Sequence, residues 1–178
     1  MGGSMELAFL VWLQGLHRPW LDELMAGVTF LGDAGWVWIL TGCVLFCMKK
    51  TRSCGLAVLL SLAAGFLLGN CLLKNLVARP RPCWNLDIQA AFPLLVENPR
   101  DFSFPSGHTL AGFEAGVSIF FFHRRWGAAA LGLAVLIAFS RMYLFVHFPT
   151  DVLAGAVLGT AIAFGVHFCL TRRKNMLL

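Results

Sequence analysis

Apolar runs separated by short polar breaks make up most of this chain. Leu7 to Leu16 is apolar, but a bilayer crossing needs about 20 residues. His17-Arg18-Pro19 interrupts it, and Trp20 to Leu31 is a second short helical pattern carrying Asp22 and Glu23. Two short helices, tilted or lying at the membrane interface, are expected here, with one broken span as the alternative. Gly32-Asp33-Ala34-Gly35 reads as a turn. Trp36 to Met48 is short but apolar and could span by borrowing flanking residues. Ser53 to Leu73 is a full-length span. Residues 82–104 form a polar, Pro-containing loop. Ser106 to Phe122 is a helix, and Trp126 to Val146 and Pro149 to Leu170 are two more spans. The pattern predicts an all-α, polytopic transmembrane bundle of about six helices with five to six spans.

Composition excludes a soluble domain. The 178 residues are 58% hydrophobic and only 13% charged, against about 25% charged in soluble domains. A core of this size has no room for so much apolar sequence. One membrane-embedded domain is expected over residues 5–178, with the bilayer as its first partner. Met1-Gly2-Gly3-Ser4 reads as an added leader and Met5 as the native start. No cleavable signal is expected, because the apolar run after Glu6 is short and lacks a small-residue cleavage site.

The net charge is +5, yet the basic residues are not gathered into one face, so nucleic acid is not the expected partner. They fall instead into clusters between spans: Lys49, Lys50 and Arg52; Arg124 and Arg125; Arg172, Arg173 and Lys174. By the positive-inside rule all three, and the C-terminus, face the cytoplasm. The loops at 32–35, 74–105 and 147–149 then face the opposite side. Neither the six cysteines nor the histidines show metal-ligand spacing, so no metal and no cofactor is expected. A Cys71–Cys83 bridge stays open.

The candidate chemistry gathers in the non-cytoplasmic loops. Ser106, after Pro105, is a good helix N-cap. The turn it opens presents free N–H groups and the positive end of the helix dipole, which suits phosphate. His108, in that turn, can pass a proton. Lys74 to Pro82 ends one span, and Ser140 to Asp151 ends another. Alone, Lys74, Arg79 and Arg81 could merely snorkel, His147 could be an interfacial histidine, and Asp151 an ordinary first-turn carboxylate. Arg141 is harder to dismiss, because it lies inside an apolar span where charge is costly. Together these residues fit phosphoryl transfer. Arg forks and a Lys charge neutralise the phosphoryl oxygens, two histidines on different helices can flank phosphorus, and a carboxylate can fix a histidine tautomer.

Lys-x6-Arg-Pro (Lys74, Arg81, Pro82), Pro-Ser-Gly-His (Pro105 to His108) and Ser-Arg-x5-His-x3-Asp (Ser140, Arg141, His147, Asp151) resemble, in this order, the type 2 phosphatidic acid phosphatase family, which also includes vanadium-dependent haloperoxidases. The resemblance spans roughly residues 53–170. It implies a six-helix bundle with its site at the non-cytoplasmic face, and the region before residue 36 departs from that pattern. It implies that His147 attacks phosphorus, Asp151 orients it, and His108 protonates the leaving oxygen and then helps water. Lys74, Arg81, Ser106, the Gly107 N–H and Arg141 would hold the phosphate, with no metal. Arg79 lies outside the motif and reads as an interfacial charge.

The implied protein is a lipid phosphatase of the bacterial inner membrane. Its implied substrate is undecaprenyl diphosphate or a phospholipid phosphate such as phosphatidylglycerophosphate, with phosphatidate and lipid A as further classes. A lipid phosphotransferase and a non-catalytic scaffold are the alternatives. The membrane composition argues against a haloperoxidase, and the complete set of catalytic side chains against the scaffold. Glu114 is the one acidic residue well inside a predicted span. It lies about 9 Å deeper than His108 and roughly 120° around the helix. It reads either as a buried structural hydrogen bond or as a polar contact lining the lipid-head cavity.

Overall fold

The structure, a computed structural model, describes residues 2–85 and 90–176, and the side chains of 5–85 and 90–172. Residues 86–89 and the side chains of residues 1–4, Arg173 and Lys174 lie outside that description. Helices α1 (Gly2–Gln14), α2 (Pro19–Phe30), α3 (Trp36–Cys47), α4 (Arg52–Val77), α5 (Gly107–Phe122), α6 (Arg124–Tyr143) and α7 (Pro149–Met176) follow one another. No strand occurs among the described residues. Both short helices expected before residue 32 are present, and Pro19 opens α2, where its missing N–H costs nothing.

Among the described residues three helices are long and apolar enough to cross a membrane: Arg52–Val77, Arg124–Tyr143 and Pro149–Arg172. A fourth segment meets the same length and hydropathy test if α2 is joined to Asp33–Cys47 across a 42° bend. The bend comes from the Gly32-to-Gly35 turn, where Ala34 (φ 49°) and Gly35 (φ 68°) are both left-handed. With 16 residues, α5 is about 24 Å long, less than the roughly 30 Å of a hydrocarbon core.

Helix α5 is the centre of the bundle and packs against α4, α6 and α7. Three glycine pairs make this possible, as expected of small residues between membrane helices. A Cβ at Gly112 or Gly116 would stand 2.9 Å from Ala134 Cβ or 2.8 Å from Leu131 Cδ2 on α6. One at Gly155 or Gly159 of α7 would stand 2.8 Å from the Ser106 carbonyl or 2.6 Å from that of Leu110. Gly65 and Gly69 of α4 lie against Glu114 and Leu110. The core around α5 is Trp38, Leu45, Val58, Ala115, Ile119, Ala134 and Ile137. Leu40, Leu67, Leu136 and Val157 point outward, exposed, as lipid-facing residues do. The second half of α4, Phe66–Leu73, is wound as a π-helix. Lys74 N–H reaches back five residues to the Gly69 carbonyl, and such segments are frequent at functional sites. Asn70 and Lys74 both face the cavity described below.

Replacing Gly159 by leucine should force α7 away from α5. The expected loss is about 1–3 kcal/mol, read as a lower unfolding temperature in detergent. An unchanged melt would show that this contact is not tight.

Candidate active site

The C-terminal ends of α4 and α6 and the N-terminal ends of α5 and α7 meet at one end of the bundle. After α6, Phe145 turns the chain in the left-handed region (φ 61°), a strained conformation for a bulky residue. Its ring is held by Leu10 and Leu13 of α1. The N–H groups of Val146 and His147 both return to the Arg141 carbonyl, at 3.1 and 3.3 Å. The turn aims His147, only 1% exposed, into a cavity of about 1390 Å³.

The histidine's tautomer follows from its neighbours. A guanidinium can only donate, and Arg81 Nη1 lies 3.0 Å from His147 Nε2. Nε2 therefore accepts, and the proton sits on Nδ1. Nδ1 is 3.3 Å from Ser103 Oγ, and Ser103 donates to Asp151 Oδ2 at 2.5 Å. Nδ1 and Asp151 Oδ2 are 3.7 Å apart, beyond hydrogen-bond length. The reach-back from Asp151 to His147 thus runs through Ser103. Burial, then the charges of Arg81 and Arg141, hold the imidazole well below its usual pKa, so it is neutral at neutral pH.

Asp151 is fully buried. Besides Ser103, it accepts from the Phe148 N–H at 2.9 Å and from Arg79 Nη1 at 2.7 Å. Arg79 also donates to Glu6 Oε2 of α1 at 2.7 Å and lies over the Phe148 ring. Glu6 Oε1 in turn accepts from the Thr150 N–H and hydroxyl, so a carboxylate from α1 caps α7. Arg79 is therefore not a loose interfacial charge.

The expected phosphate ligands are mostly brought together. Lys74, Arg81, Gly107, His108, Arg141 and His147 line the cavity. Arg81 donates to the Val146 carbonyl at 2.8 Å and to the Asp101 carbonyl and carboxylate at 2.7 Å each. Lys74 Nζ meets the other Asp101 oxygen at 2.5 Å. Burial alone would raise the Asp101 carboxyl, but Lys74 and Arg81 outweigh it and hold it at about 2. Arg141, 5% exposed, donates to Thr29 Oγ1 at 2.6 Å, and its Nε has no partner. No described carboxylate lies within ion-pair distance of Arg141. Ser106 occupies the N-cap position of α5 without a side-chain cap bond. It accepts from Thr109 Oγ1 at 3.0 Å and, unlike the other expected phosphate ligands, is not among the residues that line the cavity.

His108 Nε2 is 2.8 Å from Asp33 Oδ1, in the turn before α3. A Cβ at Gly32 would lie 2.6 Å from the His108 ring, so only glycine lets the ring pack there. Asp33, Asp101, Ser103 and Asn70 were not singled out from the sequence as site residues, and Arg79 was read as an interfacial charge outside the motif. Arg79 stood beside a motif position and Ser103 in the same short stretch as His108, but nothing in their spacing pairs them with Asp151. Cys71 is a free, exposed thiol, so the Cys71–Cys83 bridge left open by the sequence does not form. Among the described residues no His, Cys, Asp and Glu group could hold a metal ion.

The sequence and the fold have known counterparts. The family model described as the PAP2 superfamily matches residues 55–175. The chain is 33% identical to the undecaprenyl-diphosphatase of Sulfolobus acidocaldarius over 169 residues, covering 92% of this chain and 80% of that protein. It is 35% identical to phosphatidylglycerophosphatase B of Bacillus subtilis over 163 residues, covering 84% and 75%. The crystal structure of a transmembrane PAP2-type phosphatidylglycerolphosphate phosphatase from Bacillus subtilis matches with a TM-score of 0.77 at 32% identity, over 96% of this chain and 86% of that one.

The Arg79–Asp151 pair gives a stability test. Arg79→Met leaves a buried carboxylate short of its cation, which should cost on the order of 2–3 kcal/mol. Adding Asp151→Asn should recover part of that loss. A double-mutant cycle in detergent melts measures the coupling, and simple additivity would return Arg79 to the status of an interfacial charge.

Proposed function

Because this chain belongs to the PAP2 superfamily, we propose that its cavity is the active site of an integral-membrane lipid phosphatase working through a phosphohistidine. Its substrate is a lipid phosphate or diphosphate, either undecaprenyl diphosphate or a phospholipid phosphate such as phosphatidylglycerophosphate. One observation carries the reading. A buried guanidinium without a carboxylate, that of Arg141, shares a cavity with a neutral, tautomer-fixed histidine. Three cations, Lys74, Arg81 and Arg141, face that cavity, with Asp101 bound to two of them. Such an excess of charge suits a phosphate.

The steps follow from the placement of the groups. The phosphate takes over the donors now shared with Asp101, and Arg81 turns from Nε2 to a phosphoryl oxygen. The Nε2 lone pair attacks phosphorus, forming a P–N bond as the bond to the leaving oxygen breaks. His108 gives its proton to that oxygen. Asp33, 2.8 Å from His108 Nε2, holds that ring in place. The Nδ1–H of His147 stays hydrogen-bonded towards Ser103 and Asp151, which stabilise the positive charge that develops on the imidazole. Water then attacks phosphorus and loses a proton to His108, and the P–N electrons return to Nε2 as inorganic phosphate leaves. The charge on phosphate is met by side chains, so no metal is called for.

The proposed placement has α3 to α7 crossing the bilayer, with α1 and α2 at the interface of the non-cytoplasmic side. The site lies where α4 and α6 end and α5 and α7 begin. Lys49, Lys50 and Arg52, Arg124 and Arg125, and Arg172 lie at the opposite helix ends, which supports a cytoplasmic C-terminus and a site facing outward from the inner membrane.

His147→Ala should remove phosphate release from lipid phosphates in detergent by at least about a thousandfold without shifting the melt, and near-wild-type turnover would end this mechanism. His108→Ala should cost less on a diphosphate, whose leaving group needs less protonation, than on a monophosphate; equal losses would refute the general acid. Activity should survive EDTA and be inhibited by vanadate, which adopts a five-coordinate geometry at a histidine. Loss in EDTA that Mg²⁺ restores would contradict the metal-free site.

A further inference from the structure

We propose that Glu114 reads a hydrogen-bonding group on the leaving alcohol, so that the site favours lipid phosphates built on glycerol over polyprenyl phosphates. This rests on the lipid-phosphatase reading above. Glu114 is 1% exposed, and its Oε1 has no hydrogen-bond partner. The same cavity that holds His147 and Arg141 is also lined by Leu62, Ala63, Ala111 and Glu114. Among those apolar walls a lone carboxyl is costly unless something pairs with it. A purely structural carboxyl would bond to a neighbouring helix, and this one does not. Room is instead left for it, since a Cβ at Gly65 would collide with both carboxyl oxygens.

Depth identifies the chemistry. Glu114 lies about 9 Å below His108 along α5, deeper in the bundle than the phosphate ligands. In a glycerol lipid, hydroxyl or ester oxygens come about four to six bonds from phosphorus, roughly 5–7 Å when extended. One hydrogen bond of about 2.8 Å closes the remaining distance. A polyprenyl chain offers only carbon at that depth and would leave the carboxyl unpaired. Sites built to bond a polar group discriminate against analogues that lack it.

The test compares kcat/KM for phosphate release from dioleoyl phosphatidate and from farnesyl monophosphate, two monoesters, in the wild type, Glu114→Leu and Glu114→Gln. The leucine variant should lower the phosphatidate-to-farnesyl ratio about tenfold, the loss of one hydrogen bond. Glutamine, which keeps the shape and can still bond, should hold the ratio within about threefold. Gly65→Ala, which displaces the carboxyl, should move the ratio in the leucine direction and serves as the test if the leucine variant does not fold. An unchanged ratio in the leucine or alanine variant overturns the inference and leaves the phosphatase intact. Release from neither of these monoesters, nor from farnesyl diphosphate or phosphatidylglycerophosphate, by the wild type overturns the phosphatase reading and this inference with it.

Discussion

The site depends on an uneven sharing of charge at one end of an apolar bundle. Arg79 has two carboxylates, Asp151 and Glu6, while Lys74 and Arg81 share Asp101 and Arg141 has none. Ions removed from water must be paired or have a purpose. The paired half is structural, because Arg79 fixes Asp151, which holds Ser103 and the Phe148 N–H and through them the histidine. The under-paired half faces the cavity, where the proposed phosphate would bind. Both halves need a bundle whose helix ends converge, and the glycine contacts along α5 supply that convergence.

The first helix, short as it is, reaches the chemistry from two directions. Leu10 and Leu13 pack on Phe145 and hold a left-handed turn that an unsupported bulky residue would resist. Glu6 anchors both Arg79 and the first turn of α7. A segment outside the family motifs therefore helps to place the residue proposed to attack phosphorus. The same economy holds across the cavity, where the tight turn at Gly32 brings Asp33 to His108.

The residues legible in sequence were those in fixed local frames. Lys74, Arg81, His108, Arg141 and His147 each sit at a helix end that hydropathy marks, so their convergence follows once the helices alternate. The short helices before residue 32 were legible for the same reason, as apolar runs broken at His17-Arg18-Pro19. What was not legible is pairing across long separations. Glu6 and Arg79 are far apart in the chain, as are Asp33 and His108, and no periodicity links them. The spacing of His147 and Asp151 allowed a direct bond, but the buried carboxylate is already taken by Arg79, Ser103 and a backbone N–H. Glu114 was placed at the right depth by helical rise, whereas its lack of a protein partner depends on the empty space at Gly65.

The claim most exposed to refutation is that His147 becomes covalently phosphorylated. Rapid quench of the enzyme with a lipid phosphate labelled with ³²P, followed by peptide mapping, tests it directly. The expected result is acid-labile, alkali-stable label on the peptide containing His147, absent when His147 is replaced by alanine. Turnover at the same rate with no protein-bound label at any quench time, or label on a different residue, would contradict it.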